Sequence, residues 1–130
     1  MCWPAGTTVL HIRFAPARYS SSELLAVEMY RTFDRMRLSK AMSTRRSAQL
    51  RDDADRNLAR IALVPLDQSV LKRAGEPLPS PLKTLDAIHL ATAEFLNYVT
   101  GDIVLLTHDR QLGVAALSCG LAVYPDPNAP

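Results

Sequence analysis

Two acids are set apart by the residues around them. Asp86 lies in Pro81-Leu82-Lys83-Thr84-Leu85-Asp86-Ala87-Ile88-His89-Leu90-Ala91-Thr92-Ala93, which reads as a helix capped by Thr84, with Asp86 in its first turn and Leu85, Ile88, Leu90 and Ala91 as its apolar body. Asp109 follows the predicted strand Asp102-Ile103-Val104-Leu105-Leu106, in the turn Thr107-His108-Asp109-Arg110. In an open parallel sheet, functional groups gather where strands end at their carboxyl edge and helices begin, so both carboxylates are expected to face one crevice. Carboxylate and water oxygens are the donors magnesium prefers, and acids gathered in one pocket can hold it. Each acid also has a plainer reading. Asp86 favours the helix dipole where it stands, and Asp109 suits a turn or the cap of the next helix.

Glu28 is a third acid of interest. Tyr19-Ser20-Ser21-Ser22 leads into a predicted helix in which Ser20 and Glu23 fit a capping box and Leu24, Leu25, Val27, Met29, Tyr30 and Phe33 supply a wide apolar face. Glu28 lies one helical turn beyond Leu24 and one before Arg31, amid apolar neighbours rather than in a charge run. A carboxylate in such surroundings needs a partner, and either a metal or Arg31 would serve.

The elements that must position these acids alternate between the two periods. Thr7 to Phe14 is β-prone and is stopped by Pro16. After the Glu28 helix, a second helix is predicted from Ser39 or Ser43 to Ala62, with Met42, Leu50, Ala54, Leu58 and Ile61 at helical spacing. Leu63-Val64-Pro65-Leu66 reads as a strand, Asp67 as the cap of a short helix from Gln68 to Ala74, and Gly75 to Pro81 as a stiff loop with three prolines. The Asp86 helix should run from Thr84 to about Tyr98, and a helix from Gln111 to Ser118 should end at Gly120 ahead of a last strand, Leu121 to Tyr124. Strands alternating with helices indicate a parallel, doubly wound sheet.

Leu85-Asp86-Ala87-Ile88-His89-Leu90-Ala91 and Thr107-His108-Asp109, preceded by Ser20-Ser21-Ser22-Glu23-Leu24-Leu25-Ala26-Val27-Glu28, resemble the PIN-domain family and, within it, the VapC-type toxins of bacterial toxin–antitoxin pairs. The resemblance covers about Tyr19 to Pro125, in the family's order and spacing. It implies a PIN-like three-layer α/β/α fold with a parallel sheet, and a magnesium- or manganese-dependent ribonuclease in which Glu28, Asp86 and Asp109 match three of the family's acidic positions. The family normally begins with a short apolar strand ending in an aspartate. Here no Asp or Glu precedes Glu23, so the first strand is read as altered or missing. Removing one ligand from a four-carboxylate site takes a negative charge from the pocket. Either catalysis persists weakly with three acids, or the chain keeps the fold and acts by binding an antitoxin or another protein. The resemblance further implies a cognate antitoxin and a homodimer.

Phosphodiester hydrolysis suits such a site, because a divalent ion can activate water and receive charge as the leaving oxygen departs. Thr107 is placed to orient a carboxylate or a metal-bound water through its hydroxyl. His89 is expected in the core one turn after Asp86, and Asp102 and Asp126 are expected in solvent-facing turns. A small-ligand domain finds little support, because no Gly-rich phosphate loop follows any strand.

Composition sets the outer limits. With 130 residues, 48% of them hydrophobic, the chain is expected to form one domain over 1–130, with 1–18 an atypical N-terminal segment and 126–130 a flexible tail. No apolar run approaches the length of a membrane span and the first residues lack a signal-peptide pattern, so a cytoplasmic protein is expected. Cys2 and Cys119 are too few for a metal cage and fit reduced, structural thiols. The net charge is only +2, yet Arg31, Arg35, Arg37, Lys40, Arg45, Arg46, Arg51, Arg56 and Arg60 fall within one stretch against four Asp. Such an excess can steer a polyanion or simply solvate a helix face, and the residues alone leave both open.

Overall fold

The computed structural model describes residues 19–129, and the expected strand between Thr7 and Phe14, with the question of an altered first strand, lies outside them. The described chain falls into two compact units, residues 19–65 and residues 66–129. The order of elements is β1 (Ser20–Ser22), α1 (Leu24–Leu38), α2 (Thr44–Leu58), β2 (Ala62–Val64), α3 (Gln68–Ala74), α4 (Thr84–Thr100), β3 (Val104–Leu106), α5 (Arg110–Ser118) and β4 (Ala122–Tyr124).

In the first unit β1 and β2 pair in parallel, with Ser20 opposite Ala62 and Ser22 opposite Val64. The ladder is extended at both ends, by the Ala62 amide donating to the Tyr19 carbonyl and the Glu23 amide donating to the Val64 carbonyl. This corrects the sequence reading, in which Ser20 caps a helix. Three serines form a strand here, and it is Ser22, buried, whose Oγ accepts from the Leu24 amide at 3.0 Å to start α1. Serine has weak strand preference of its own, so the pairing comes from the partner strand. Helices α1 and α2 pack as a hairpin. Ser43 caps α2 by accepting from the Arg46 amide at 3.1 Å, and α2 ends at Leu58, short of the expected Ala62, because Ala62 is taken into β2.

The second unit holds the larger core. Leu90, Ala93, Leu112, Ala115, Ala116 and Leu121 form it, with Leu78, Leu82, Ile103, Leu105 and Val123 packed against it. Ala93 of α4 and Ala115 and Ala116 of α5 are buried in this core, and the two helices pack on each other. Strands β3 and β4 pair in parallel, Val104 opposite Ala122 and Leu106 opposite Tyr124. Their alternation sends Leu105 and Val123 to the core, whereas Val104, Leu106 and Tyr124 stay exposed.

Asp67 caps α3 as expected, its Oδ1 accepting from the Val70 amide at 2.9 Å. Thr84 does not cap α4. The capping position is Lys83, which makes no side-chain cap hydrogen bond, and Thr84 is the first helical residue. Gly101 ends α4 in the left-handed region at φ 81, its amide donating to the Asn97 carbonyl at 2.8 Å. A Cβ at Gly101 would meet nothing within 4 Å, so the whole penalty for Gly101→Ala is conformational. The variant should unfold about 1 kcal/mol more easily, read as a lower urea midpoint at unchanged slope.

Helices α3 and α4 are joined by a buried ion pair. Arg73 Nε lies 2.8 Å from Glu94 Oε2, and Arg73 Nη2 donates to Glu94 Oε1 at 3.0 Å. At the end of the chain the Asn128 amide donates to Asp126 Oδ1 at 2.9 Å, and Pro127 lies against buried Gly113, where an added Cβ would come within 3.0 Å of the proline Cβ.

Candidate functional site

Asp109 is the N-cap of α5. Its Oδ1 accepts from the Leu112 amide at 2.9 Å. Its own amide donates to Thr107 Oγ1 at 3.1 Å, while the Thr107 amide donates to the Tyr124 carbonyl at 3.1 Å. Thr107 therefore fixes the backbone at Asp109, and the carboxylate is oriented by the helix it caps. The cap engages one carboxylate oxygen of an exposed side chain. The plainer reading of this acid is thus realised and is compatible with a second role for the other oxygen.

Asp86 is half-buried in the first turn of α4, where its charge complements the positive end of the helix dipole. It belongs to the same unit as Asp109, and the helices that carry the two acids, α4 and α5, pack on each other. Glu28 is half-buried on α1 in the other unit, and its backbone carbonyl accepts from Thr32 Oγ1 at 2.8 Å. The predicted alternative partner, Arg31, places its Nη1 3.0 Å from Asp34 Oδ2. His89 is half-buried, and Asp102, His108 and Asp126 are exposed.

Oxygen donors of this kind suit a hard divalent cation, and all three acids are of that type. Among the described residues, however, no group of three or more His, Cys, Asp and Glu side chains is arranged to hold a metal ion.

A cleft of about 640 Å³ opens between α3, the proline loop and the start of α4, lined in part by Leu71, Leu78, Ser80, Leu82, Thr84 and Ile88. Ser80 Oγ is buried there without a hydrogen-bond partner among the described residues. Asp86 projects roughly 150° around the helix from the face formed by Thr84, Ala87 and Ile88, at 100° per residue, so the cleft and the acid lie on different sides of α4. Sequence reasoning did not find this cleft, because its walls come from two helices and a loop whose residues read singly as ordinary apolar positions.

Two groups with shifted titration, Arg73 and Cys119, lie apart from these acids in sequence. Burial disfavours the charge on Arg73, but the hydrogen bond and charge of Glu94 outweigh it and hold the guanidinium pKa above its ordinary value. Burial likewise pushes the Cys119 thiol up, helped by the neighbouring Glu94 carboxylate. Cys119 is a free, half-buried thiol. The signal for the Arg73–Glu94 pair was one helix-borne cation and one helix-borne acid on otherwise apolar faces.

Comparison with known proteins settles the family. The PIN domain family matches residues 9–116, most of the chain. This chain belongs to the PIN-domain family, in its VapC-type branch. It is 40% identical over 103 residues to Ribonuclease VapC46 of Mycobacterium tuberculosis (strain ATCC 25618 / H37Rv), a match covering 79% of this chain and 70% of that protein. It is also 40% identical over 67 residues to Ribonuclease VapC35 of Mycobacterium tuberculosis (strain CDC 1551 / Oshkosh), covering 51% of this chain and 49% of that one. No solved structure matches significantly. The three-layer α/β/α class of a PIN domain agrees with the helices and short parallel strands described here. No helix among the described residues is long and apolar enough to cross a membrane.

Proposed function

We propose that this PIN domain is a metal-dependent endoribonuclease, the toxin of a toxin–antitoxin pair, and that Glu28, Asp86 and Asp109 are the carboxylates that hold its cation. The observation that carries the reading is the likeness to Ribonuclease VapC46 over 79% of the chain. RNA is then the substrate, a cognate antitoxin the partner that restrains it, and a second copy of the chain its companion in a homodimer. Magnesium or manganese bound there would supply an activated water and a place for the charge of the leaving oxygen.

The protein's own contribution is placement. Asp109 is held by the cap of α5 and by the Thr107 hydroxyl beneath its amide, so its carboxylate is fixed before any ligand arrives. Such fixing lowers the reorganisation needed at the moment of reaction. Asp86 is held by the first turn of a 17-residue helix, a rigid support of the same kind.

A second reading is favoured by the sequence before Glu23, which offers no Asp or Glu to serve as the family's first acid. In that case the chain binds an antitoxin or another protein without cutting RNA. Cleavage of structured RNA under magnesium and manganese titration separates the two: the first reading requires metal-dependent products, and their absence alongside antitoxin binding leaves the second. Expression of an active toxin without its antitoxin should also arrest growth.

Asp109→Asn tests the assigned carboxylate without disturbing the cap, because asparagine caps about as well as aspartate. Thermal stability should stay within about 0.5 kcal/mol of the parent while metal-dependent cleavage falls about 100-fold. Cleavage at the parent rate would remove Asp109 from the site.

A further inference from the structure

We propose that the tip of the α1–α2 hairpin, presenting Lys40, Arg45 and Arg46, is a docking surface for the phosphate backbone of RNA. The choice of RNA as the polyanion rests on the ribonuclease reading; the surface itself is argued from charge and position.

From Arg35 to Arg51 the chain carries Arg35, Arg37, Lys40, Arg45, Arg46 and Arg51 with no acid among them. The structure then sorts the cations of the hairpin by whether they are already matched. Asp34 takes Arg31 and Arg37, at 3.0 and 2.8 Å, and the Arg37 hydrogen bond with the two guanidinium charges holds its carboxyl below the usual range. Arg56 pairs with Asp53. Arg51 lies 4.2 Å over the Tyr30 ring, whose hydroxyl donates to Asp55. Arg35 donates to Thr32 Oγ1 at 3.3 Å. Lys40, Arg45 and Arg46 are exposed and make no ion pair with any described residue. The residues before Glu23 contain no acid that could neutralise them.

Two further observations show that folding alone does not favour these cations. Arg45 and Arg46 stand in the first turn of α2, beside the positive end of its dipole, where acids are preferred, and that turn contains none. Lys40 sits in the left-handed region at φ 59, a conformation that favours glycine, in the turn closed by the Lys40 amide on the Arg37 carbonyl and the Met42 amide on the Met36 carbonyl. Three exposed charges with no ion-pair partner among the described residues, held at positions that oppose local stability, fit a polyanionic ligand, which recovers the cost through counterion release.

The test uses the full chain carrying Asp86→Asn, in EDTA so that nothing is cut, with a fluorescein-labelled RNA stem-loop read by anisotropy across a salt series. Combining Lys40→Ala, Arg45→Ala and Arg46→Ala should weaken binding about tenfold or more at low salt and reduce the salt slope by about 2 to 3, one phosphate contact per side chain. Lys40→Gly supplies the sign that separates binding from folding: melting temperature should hold or rise, while RNA affinity falls. Unchanged RNA affinity and slope in the triple variant would overturn the proposal, including the case in which the same variant loses an acidic protein partner instead. The parent chain's cleavage assay is scored separately. No cleavage together with a reduced slope means the nuclease reading fails and the docking surface stands; cleavage together with an unchanged slope means the docking surface alone fails.

Discussion

Replacing Asp86 with asparagine is expected to reduce metal-dependent RNA cleavage by about 100-fold or more, equivalent to about 2.7 kcal/mol of barrier. The change is nearly isosteric and removes one negative charge from the proposed cation site. Its structural cost is separable. Asp86 lies in the first turn of α4, where its charge helps the helix dipole by about 0.3–1 kcal/mol, and that is all the variant should lose in stability. A chain that melts nearly as the parent does but no longer cuts therefore identifies chemistry rather than folding. Activity that persists at the parent rate, or that persists equally in EDTA, would end the assignment. Raising magnesium should partly restore the variant if the defect is weakened cation binding, whereas excess metal does nothing for a misfolded site.

The second large effect concerns stability. Arg73→Ala should destabilise the fold by about 3–5 kcal/mol, a substantial share of the 5–15 kcal/mol typical of a domain. The Arg73 and Glu94 side chains are only 7% and 11% exposed, so deleting the guanidinium strands a carboxylate that α3 and α4 have closed away from water. The paired change Arg73→Met with Glu94→Leu removes both charges and keeps the packing, and it should come close to parental stability. Urea unfolding of Arg73→Met, Glu94→Leu and the double variant measures the coupling directly. A single variant that costs less than about 1 kcal/mol would mean that water reaches the pair.

Much of this protein is local and could be read locally. Asp67 before Gln68-Ser69-Val70 and Ser43 before Thr44-Arg45-Arg46 are caps in the structure because a cap needs only an oxygen and amides two or three residues on. Gly120 at φ 84 follows α5 for a similar reason, since a left-handed residue after a helix is a property of the turn itself. Leu90 and Ala91, read as part of the apolar body of the Asp86 helix, are buried, whereas Leu85 from the same reading is 45% exposed. The capping box at Ser20 and Glu23 shows where local reading fails. The same residues satisfy a helix-start pattern and a strand, and parallel pairing with Ala62–Val64, far along the chain, decided for the strand. Thr84 fails for a related reason: helical backbone reaches one residue further back, and Lys83 takes the capping position.

The sequence by itself determined the family, the identity of Glu28, Asp86 and Asp109 as candidate ligands, and most helix limits, because those depend on residue types and short spacings. Only tertiary structure decided that Ser20–Ser22 pairs as a strand, that Arg73 and Glu94 close on each other between two helices, and that Lys40, Arg45 and Arg46 make no ion pair among the described residues while Arg31, Arg37 and Arg56 do. Those outcomes turn on which groups meet after the chain has folded, and the free energy of a charge or a backbone amide depends on what it meets far more than on what stands next to it in sequence.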